Sequence, residues 1–319
     1  MNHQIVLVTG GTGFVGVHTI LQLLQQGYTV KTTLRSLSRK EEIIDALKAG
    51  GISDFEKLSF YAADLTSDSG WNEAAKGCDY VLHVASPFPL AEPKDENDLI
   101  IPAREGTLRV LRAAQKTGVK RVVLTSSFAA IGYGVNKKDH IFTEADWTDE
   151  NAPLMAYIKS KTLAEKAAWQ FMKEDGGHME LVVINPVAIF GPVLGDILPA
   201  SLEGVIKTII GGHVTESPAF TFGSVDVRDV AAIHIKAMLH PEANGHRFLA
   251  TSEGVMSFYD VAQLIRKERP GKAGKIPDMK PTAADHYVQM SNRKAKEVLD
   301  WHPRSREEAI LASVDSLPE

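Results

Sequence analysis

Residues 155 to 165 read MAYIKSKTLAE, and inside this stretch Tyr157 and Lys161 stand four apart. That spacing stacks two side chains on one face of a helix. A phenol titrates near 10 and is a poor acid or base at neutral pH unless a nearby positive charge stabilises its ionised form. A lysine one turn away supplies that charge, so the pair suits proton transfer to or from an oxygen. The spacing occurs a second time, as Tyr133 and Lys137 in YGVNK, directly after Gly132. Glycine and asparagine favour a turn over a helical face there, which leaves Tyr157 as the candidate acid and Tyr133 as a coincidence.

The segment RVVLTSSFAA ends an apolar run on Ser126 and Ser127. This puts two hydroxyls at the C-terminal end of a strand, the edge at which open parallel sheets bind ligands. Near the start, VTGGTGFVG follows the first apolar run and opens a helix, with Gly10, Gly13 and Gly16 in a G-x-x-G-x-x-G spacing. In a Rossmann unit the first glycine makes the tight turn, the second admits a pyrophosphate, and the third lets helix and strand pack closely. The helix N-terminus adds amides and a positive dipole. The strand before and the helix after favour this reading over a merely flexible loop, and the contact set is Gly10, Thr12, Gly13, Phe14, Val15 and Gly16.

About 20 residues past such glycines an NAD-preferring enzyme often carries a carboxylate for the ribose diol. Here the second strand ends in TLRS, with Arg35 at that place. A guanidinium can stack on adenine and grip a 2′-phosphate, so the implied cofactor is NADPH/NADP+, with Ser36, Arg39 and Lys40 as possible helpers. The plain alternative is an exposed strand-end arginine with no ligand. An oxidised nicotinamide would add a second positive charge beside Tyr157.

These residues need a scaffold, and the chain supplies one. Runs rich in Val, Ile and Leu recur as IVLVTG, YTVKTTL, LSFYAADL, YVLHVAS, RVVLTSS and ELVVINP. Helical patterns lie between them, such as DLIIPAREGTLRVLRAAQKTG, which closes on Gly118. The alternation predicts an α/β fold, a Rossmann-type doubly wound parallel sheet with helices on both faces. After Pro186 the rhythm loosens into NPVAIFGPVLGDILPA. The expected division is a nucleotide-binding domain over 1–188 with a return at 221–250, and a smaller substrate lobe from 189–220 and 251–319.

The chain has 319 residues, 44% hydrophobic and 24% charged, with 40 acidic and 35 basic side chains. The basic residues form no stripe interleaved with aromatics, which argues against nucleic acid as a partner. No apolar run reaches the length of about 20 needed to cross a bilayer, and the start lacks a signal peptide's pattern, so a cytoplasmic protein without a membrane partner is expected. The one cysteine, Cys78 in KGCDYVLHV, suits a small buried residue, and the chain contains no cysteine-cluster metal site. His18 and His83 read as core residues.

Taken with TGGTGFVG, AADL, KGCDYVLHVASP, VLTSS, YIKSKTLAEKAAW, NPVAIFGP, VDVRDVAAIH and LDWHPRSREEAI, the chain resembles the extended short-chain dehydrogenases/reductases. The resemblance runs essentially end to end. It is closest to the branch of plant dihydroflavonol reductases, cinnamoyl-CoA reductases and fungal aldehyde and ketone reductases. It implies that Ser127 rather than Ser126 is catalytic, beside Tyr157 and Lys161. It also implies adenine contacts at Asp64 and Leu65, contacts on the nicotinamide side at Val84, Ala85 and Ser86, and ring positioning by Pro186 and Val187. The chain departs from the pattern at IPAREGTLRVL, where many relatives carry Asn and this sequence has Ala103, three before Gly106.

The expected reaction is reduction of a carbonyl to an alcohol by hydride from NADPH, without a metal. Tyr157 would protonate the oxygen, Ser127 would hold it, and Lys161 would bind the nicotinamide ribose and lower the tyrosine pKa. HVASPFPL and AIFGPVLGDILPASL are expected to line a pocket for a small, hydrophobic aldehyde or ketone, with Phe88, Phe128 and Leu198 as candidate contacts or as simple packing. Two alternatives share parts of this set: a nucleotide-sugar epimerase or dehydratase with tightly bound NAD, and a non-catalytic NADP sensor. Whether the protein is a monomer or a homodimer stays open.

Overall fold

The computed structural model describes residues 4–88, 91–134 and 139–317. Seven strands form one sheet: β1 (Ile5–Thr9), β2 (Thr29–Leu34), β3 (Leu58–Ala62), β4 (Tyr80–His83), β5 (Arg121–Thr125), β6 (Glu180–Pro186) and β7 (Arg247–Ala250). Their order across the sheet is β7-β6-β5-β4-β1-β2-β3, and every neighbouring pair is parallel. This is the predicted doubly wound Rossmann architecture. The chain reverses direction across the sheet between β1 and β4, and such a switch point opens a crevice at the C-terminal strand ends.

Successive residues of each strand serve opposite faces, which is why the strands read as continuous apolar runs. Val6, Val8, Leu82, Val123 and Ile184 pack with Val17 and Ile20 of α1 (Phe14–Gln25), Ile43 and Leu47 of α2 (Lys40–Ala49), and the helix Val227–Leu239. Leu7, Val81, Val122 and Val183 turn the other way, onto α3 (Trp71–Ala75), α4 (Asn97–Lys116) and α5 (Ala156–Glu174). Helix α4 closes just before Gly118, whose φ of +76° is the left-handed conformation that ends a helix.

A second cluster of elements follows β6. Strands Ala188–Phe190, Phe222–Asp226 and Val255–Met256 make a three-stranded sheet. Phe190, Leu202, Ile206, Val261, Ile265 and Ile310 build a separate core beneath it. The helices Phe258–Glu268 and Arg306–Asp315 in this part both begin with capping boxes, on Ser257 and Ser305. Between these pieces the helix Val227–Leu239 and strand β7 rejoin the large sheet. Among the described residues no helix is long and apolar enough to cross a membrane.

Candidate active site

The glycine turn lies at the switch point between β1 and β4. Gly10 has φ +71°, and a methyl group there would meet Ala85 Cα at 3.0 Å. At Gly16 a methyl would stand 2.3 Å from the Gly10 carbonyl oxygen, so glycine alone lets α1 start this close to the strand. Gly13 precedes α1, makes no side-chain cap, and is followed by a first turn without acidic residues. The amides of Phe14, Val15 and Gly16 have no intrahelical acceptor, and together with the dipole they fit a diphosphate. Across the crevice, Thr9 Oγ1 accepts from the backbone N–H of Val84 and of Ala85, both at 3.0 Å, and lies 2.8 Å from His83 Nδ1. That bond set fixes Val84, Ala85 and Ser86 opposite the glycines.

At the end of β2 Arg35 is exposed. Its neighbours are otherwise engaged: Arg39 holds Glu42 with two hydrogen bonds of 2.8 and 2.7 Å, and Lys40 lies 3.7 Å from Glu41. Arg35 is in no ion pair among the described residues, but its charge reaches Asp64. The Asp64 carboxyl is held below its ordinary value first by bonds from the Thr66 amide and hydroxyl, and then by Arg35 and Arg109. Leu65, the next residue, packs so tightly on α4 that a methyl on Gly106 would approach its Cβ to 2.8 Å. Arg35, Asp64 and Leu65 thus bound one end of the crevice, while Arg39 and Lys40 are tied on the surface.

The other end holds Tyr157, the second residue of α5. The first amide of that helix, on Ala156, donates to Glu92 Oε1 at 2.7 Å, and Lys159 Nζ donates to Glu96 Oε2 at 2.8 Å. The segment after β4 is therefore fastened to the start of α5. Phe88 from this segment meets the Tyr157 ring edge to face, with centroids 5.1 Å apart. The Ser127 hydroxyl, which accepts from the Ala129 amide at 3.1 Å, is near enough to the Tyr157 phenol to act on its titration. Ser126 faces the opposite way, is 6% exposed, and donates its Oγ to Glu165 Oε2 at 2.5 Å.

Lys161 is buried, and burial brings its ammonium down to about 8 against the opposing pull of Glu165. Beside it a cavity of about 10 Å³ is lined by Ser86, Ala103, Thr107, Ser126 and Glu165 among others. Ala103 thus lines the same cavity as Lys161. The expected lowering of the tyrosine pKa by Lys161 is not what the protein groups produce. Burial raises the Tyr157 phenol foremost, the nearby Ser127 hydroxyl opposes it, and Tyr133 raises it further. Tyr133 is therefore no remote coincidence: it sits in a bend without helical structure, yet its phenol is near enough to act on Tyr157. Its sequence partner Lys137 lies outside the described residues, as do Pro89 and Leu90.

The expected pocket residues divide. Phe88 is 58% and Leu198 49% exposed, while Phe128 packs edge to face with Tyr133 and Phe142 against Ile131 and Leu249. Phe128 is thus packing more than pocket wall. Pro186 is buried at the end of β6 and Val187 half-buried after it. His18 and His83 are core residues, lowered by burial to about 4 and about 3, and the Cys78 thiol is pushed up to about 11. No group of three or more His, Cys, Asp or Glu among the described residues is arranged to hold a metal ion. The sequence reading passed over Gly11, where a methyl would lie 2.3 Å from Thr32 Oγ1, and Asn185, whose Nδ2 donates to the Ser127 carbonyl at 3.1 Å.

The chain is similar to known proteins along most of its length. Residues 6–250 match the NAD dependent epimerase/dehydratase family. A cinnamoyl-CoA reductase of Medicago truncatula is 35% identical over 99% of this chain and 96% of its own length. The NADPH-dependent methylglyoxal reductase GRE2 of Saccharomyces cerevisiae is 33% identical over 96% and 95%. A crystal structure of yeast methylglyoxal/isovaleraldehyde reductase Gre2 complexed with NADPH superposes with a TM-score of 0.87 over 98% of both chains, at 31% identity.

Proposed function

The chain belongs to the NAD dependent epimerase/dehydratase family, and within it we propose an NADPH-dependent reductase of aldehydes or ketones. The observation that carries this reading is the approach of Ser127 to Tyr157, one turn ahead of buried Lys161, at the strand edge that faces the glycine turn. The cofactor fits the residues present: open amides of α1 for the diphosphate, Arg35 for the 2′-phosphate, Asp64 and Leu65 for adenine, and Val84 to Ser86 with Pro186 and Val187 at the nicotinamide end. Bound NADPH supplies a hydride for the carbonyl carbon.

The protein's own part is acid catalysis and orientation. Ser127 donates to the carbonyl oxygen, and Tyr157, whose phenol stays protonated well above neutral pH, delivers its proton to that oxygen as negative charge develops. Lys161 replenishes positive charge beneath the tyrosine and holds the ribose. Phe88, over the tyrosine ring, favours an apolar substituent on the substrate. We further propose that the substrate lobe comprises residues 189–220 and 251–319.

A nucleotide-sugar epimerase would share Ser127, Tyr157 and Lys161, but it would keep NAD tightly bound, and Arg35 in place of a carboxylate opposes that. A non-catalytic sensor would not need the three side chains together. A screen of NADPH oxidation over aldehydes, diketones, ketoesters and flavonoid-like ketones tests the proposal. Turnover of at least one class with NADPH supports it, whereas no turnover together with nucleotide copurifying on the protein favours the epimerase.

A further inference from the structure

One buried carboxylate ties the serine turn to the tyrosine helix. Glu165 lies one turn beyond Lys161 on α5 and is 1% exposed. Its Oε2 accepts from Ser126 Oγ at 2.5 Å and from Asn185 Nδ2 at 2.8 Å. Its Oε1 accepts from Arg247 Nε at 2.6 Å and from Trp169 Nε1 at 3.2 Å. Arg247, on β7, also donates from Nη2 to Glu165 Oε2 at 3.4 Å and to the carbonyl of Ala130 at 3.2 Å, and from Nη1 to the carbonyls of Glu144 at 2.9 Å and Asp146 at 2.7 Å. Its guanidinium also stacks 3.8 Å over the ring of Trp147. The carbonyls it grips belong to the stretch that leaves the serine turn, and the same Asn185 amide that binds Glu165 also holds the Ser127 carbonyl.

We propose that Glu165 is a positioning residue, with Arg247 as its counter-ion, that sets Ser127 against the helix carrying Tyr157 and Lys161. The proposal rests on the assignment of those three residues to the reaction. Ser127 follows β5 while Tyr157 and Lys161 stand on α5, and a displacement of about 1 Å among reacting groups can cost on the order of a hundredfold in rate. Ser126 is the link: it cannot serve the substrate because it is committed to Glu165, and that commitment fixes the direction in which its neighbour Ser127 points.

Glu165 is also the single acid in the walls of the cavity beside Lys161. Glu165 from its own helix and His83 from β4, which burial keeps neutral, act on Lys161, and Tyr157 stands one turn before it on α5. Arg247 follows behind Glu165, while the residues lining the cavity from α4, Ala103 and Thr107, and from β5, Leu124, Thr125 and Ser126, are uncharged. Loss of the Glu165 charge therefore moves the Lys161 titration to lower pH.

A buried ion pair that serves only folding can be exchanged for apolar residues of like volume without penalty. The test is the double variant Glu165→Leu/Arg247→Met, compared with wild type by melting temperature, NADPH affinity and the pH profile of kcat. The expected result is a folded protein that binds NADPH within about threefold of wild type, with kcat lower by about tenfold or more and its alkaline limb displaced to lower pH. A folded double variant with the wild-type kcat and profile overturns the proposal. Ser126→Ala decides the matter if the double variant does not fold: kcat falls about threefold at unchanged melting temperature and NADPH affinity, as for one lost hydrogen bond, and an unchanged kcat overturns the proposal. Glu180→Gln is the control, since it breaks the Arg121–Glu180 pair at the opposite end of the same strands. It should lower stability and spare kcat, and a kcat loss equal to that of Ser126→Ala would reduce the proposal to general loosening. Should Tyr157→Phe retain full turnover, the catalytic assignment fails instead, independently of these variants.

Discussion

The Ser127 hydroxyl lies close enough to Tyr157 to oppose the rise of its phenol's pKa, while the adjacent Ser126 is bonded to Glu165 in the interior. Adjacent residues of an extended chain face opposite ways, so only one of the two serines can reach a substrate oxygen held by the tyrosine. Ser127→Ala is expected to lower kcat by about a hundredfold, the scale for losing one donor to a developing oxyanion. Ser126→Ala should cost far less. Steady-state kinetics of the two variants side by side check this, and the reverse order would mean that the wrong serine has been assigned.

Tyr157→Phe removes the proton donor and little else, so nearly all turnover should vanish while NADPH affinity stays near normal. Tyr133→Phe keeps turnover within about threefold, because Tyr133 acts on Tyr157 only through space and loses one hydroxyl. Equal, mild effects of the two substitutions would contradict the role given to Tyr157.

Two pH dependences follow from burial. Lys161 titrates at about 8, whereas the Tyr157 phenol is raised, so reduction should be level at neutral pH and decline as pH rises through about 8, where Lys161 loses its proton. His18, His83 and His234 are lowered by burial to about 4, 3 and 4. The unfolded chain then binds more protons than the folded one between pH 6.5 and about 4, and stability falls as pH drops through that window. Melting temperatures at steps from pH 7 to pH 4 should fall in wild type and fall less steeply in His234→Gln.

Arg35 is expected to set cofactor preference. A charge-assisted contact with a 2′-phosphate contributes about 1.5 to 3 kcal/mol, or roughly tenfold to a hundredfold in affinity. Arg35→Ala should raise the KM for NADPH by that factor and change that for NADH little, and Arg35→Asp should shift preference toward NADH. Added salt should weaken NADPH binding more in wild type than in Arg35→Ala. Equal weakening of both cofactors in Arg35→Ala would take the arginine out of the phosphate site.

What the sequence could reveal was local. Six of the seven sheet strands are apolar runs beside turn signals, and the glycine turn carries its reason in its spacing. Strand β7 lies within the expected return at 221–250 but escaped as a strand because RFLA opens on Arg247 and leaves an apolar run of only three residues. The Glu165 junction escaped for a different reason: Ser126, Glu165, Asn185 and Arg247 are far apart in the chain and meet only through the sheet order. Tyr133 was set aside as a helical pair, and its approach to Tyr157 was not legible, since spacing says nothing about tertiary approach. For Phe128 the sequence left pocket contact and packing both open, and its edge-to-face partners, Tyr133 and Phe142, meet it only in the fold.

The central claim is hydride transfer to a carbonyl with Tyr157 supplying the proton. Its most direct test uses NADPH deuterated at both C4 positions with a carbonyl substrate found by the screen, and mass spectrometry of the product. The account predicts one deuterium on the new carbinol carbon, one alcohol formed per NADPH consumed, and neither event with Tyr157→Phe. An alcohol without deuterium, or no alcohol from any carbonyl while the purified protein carries bound NAD, would contradict it.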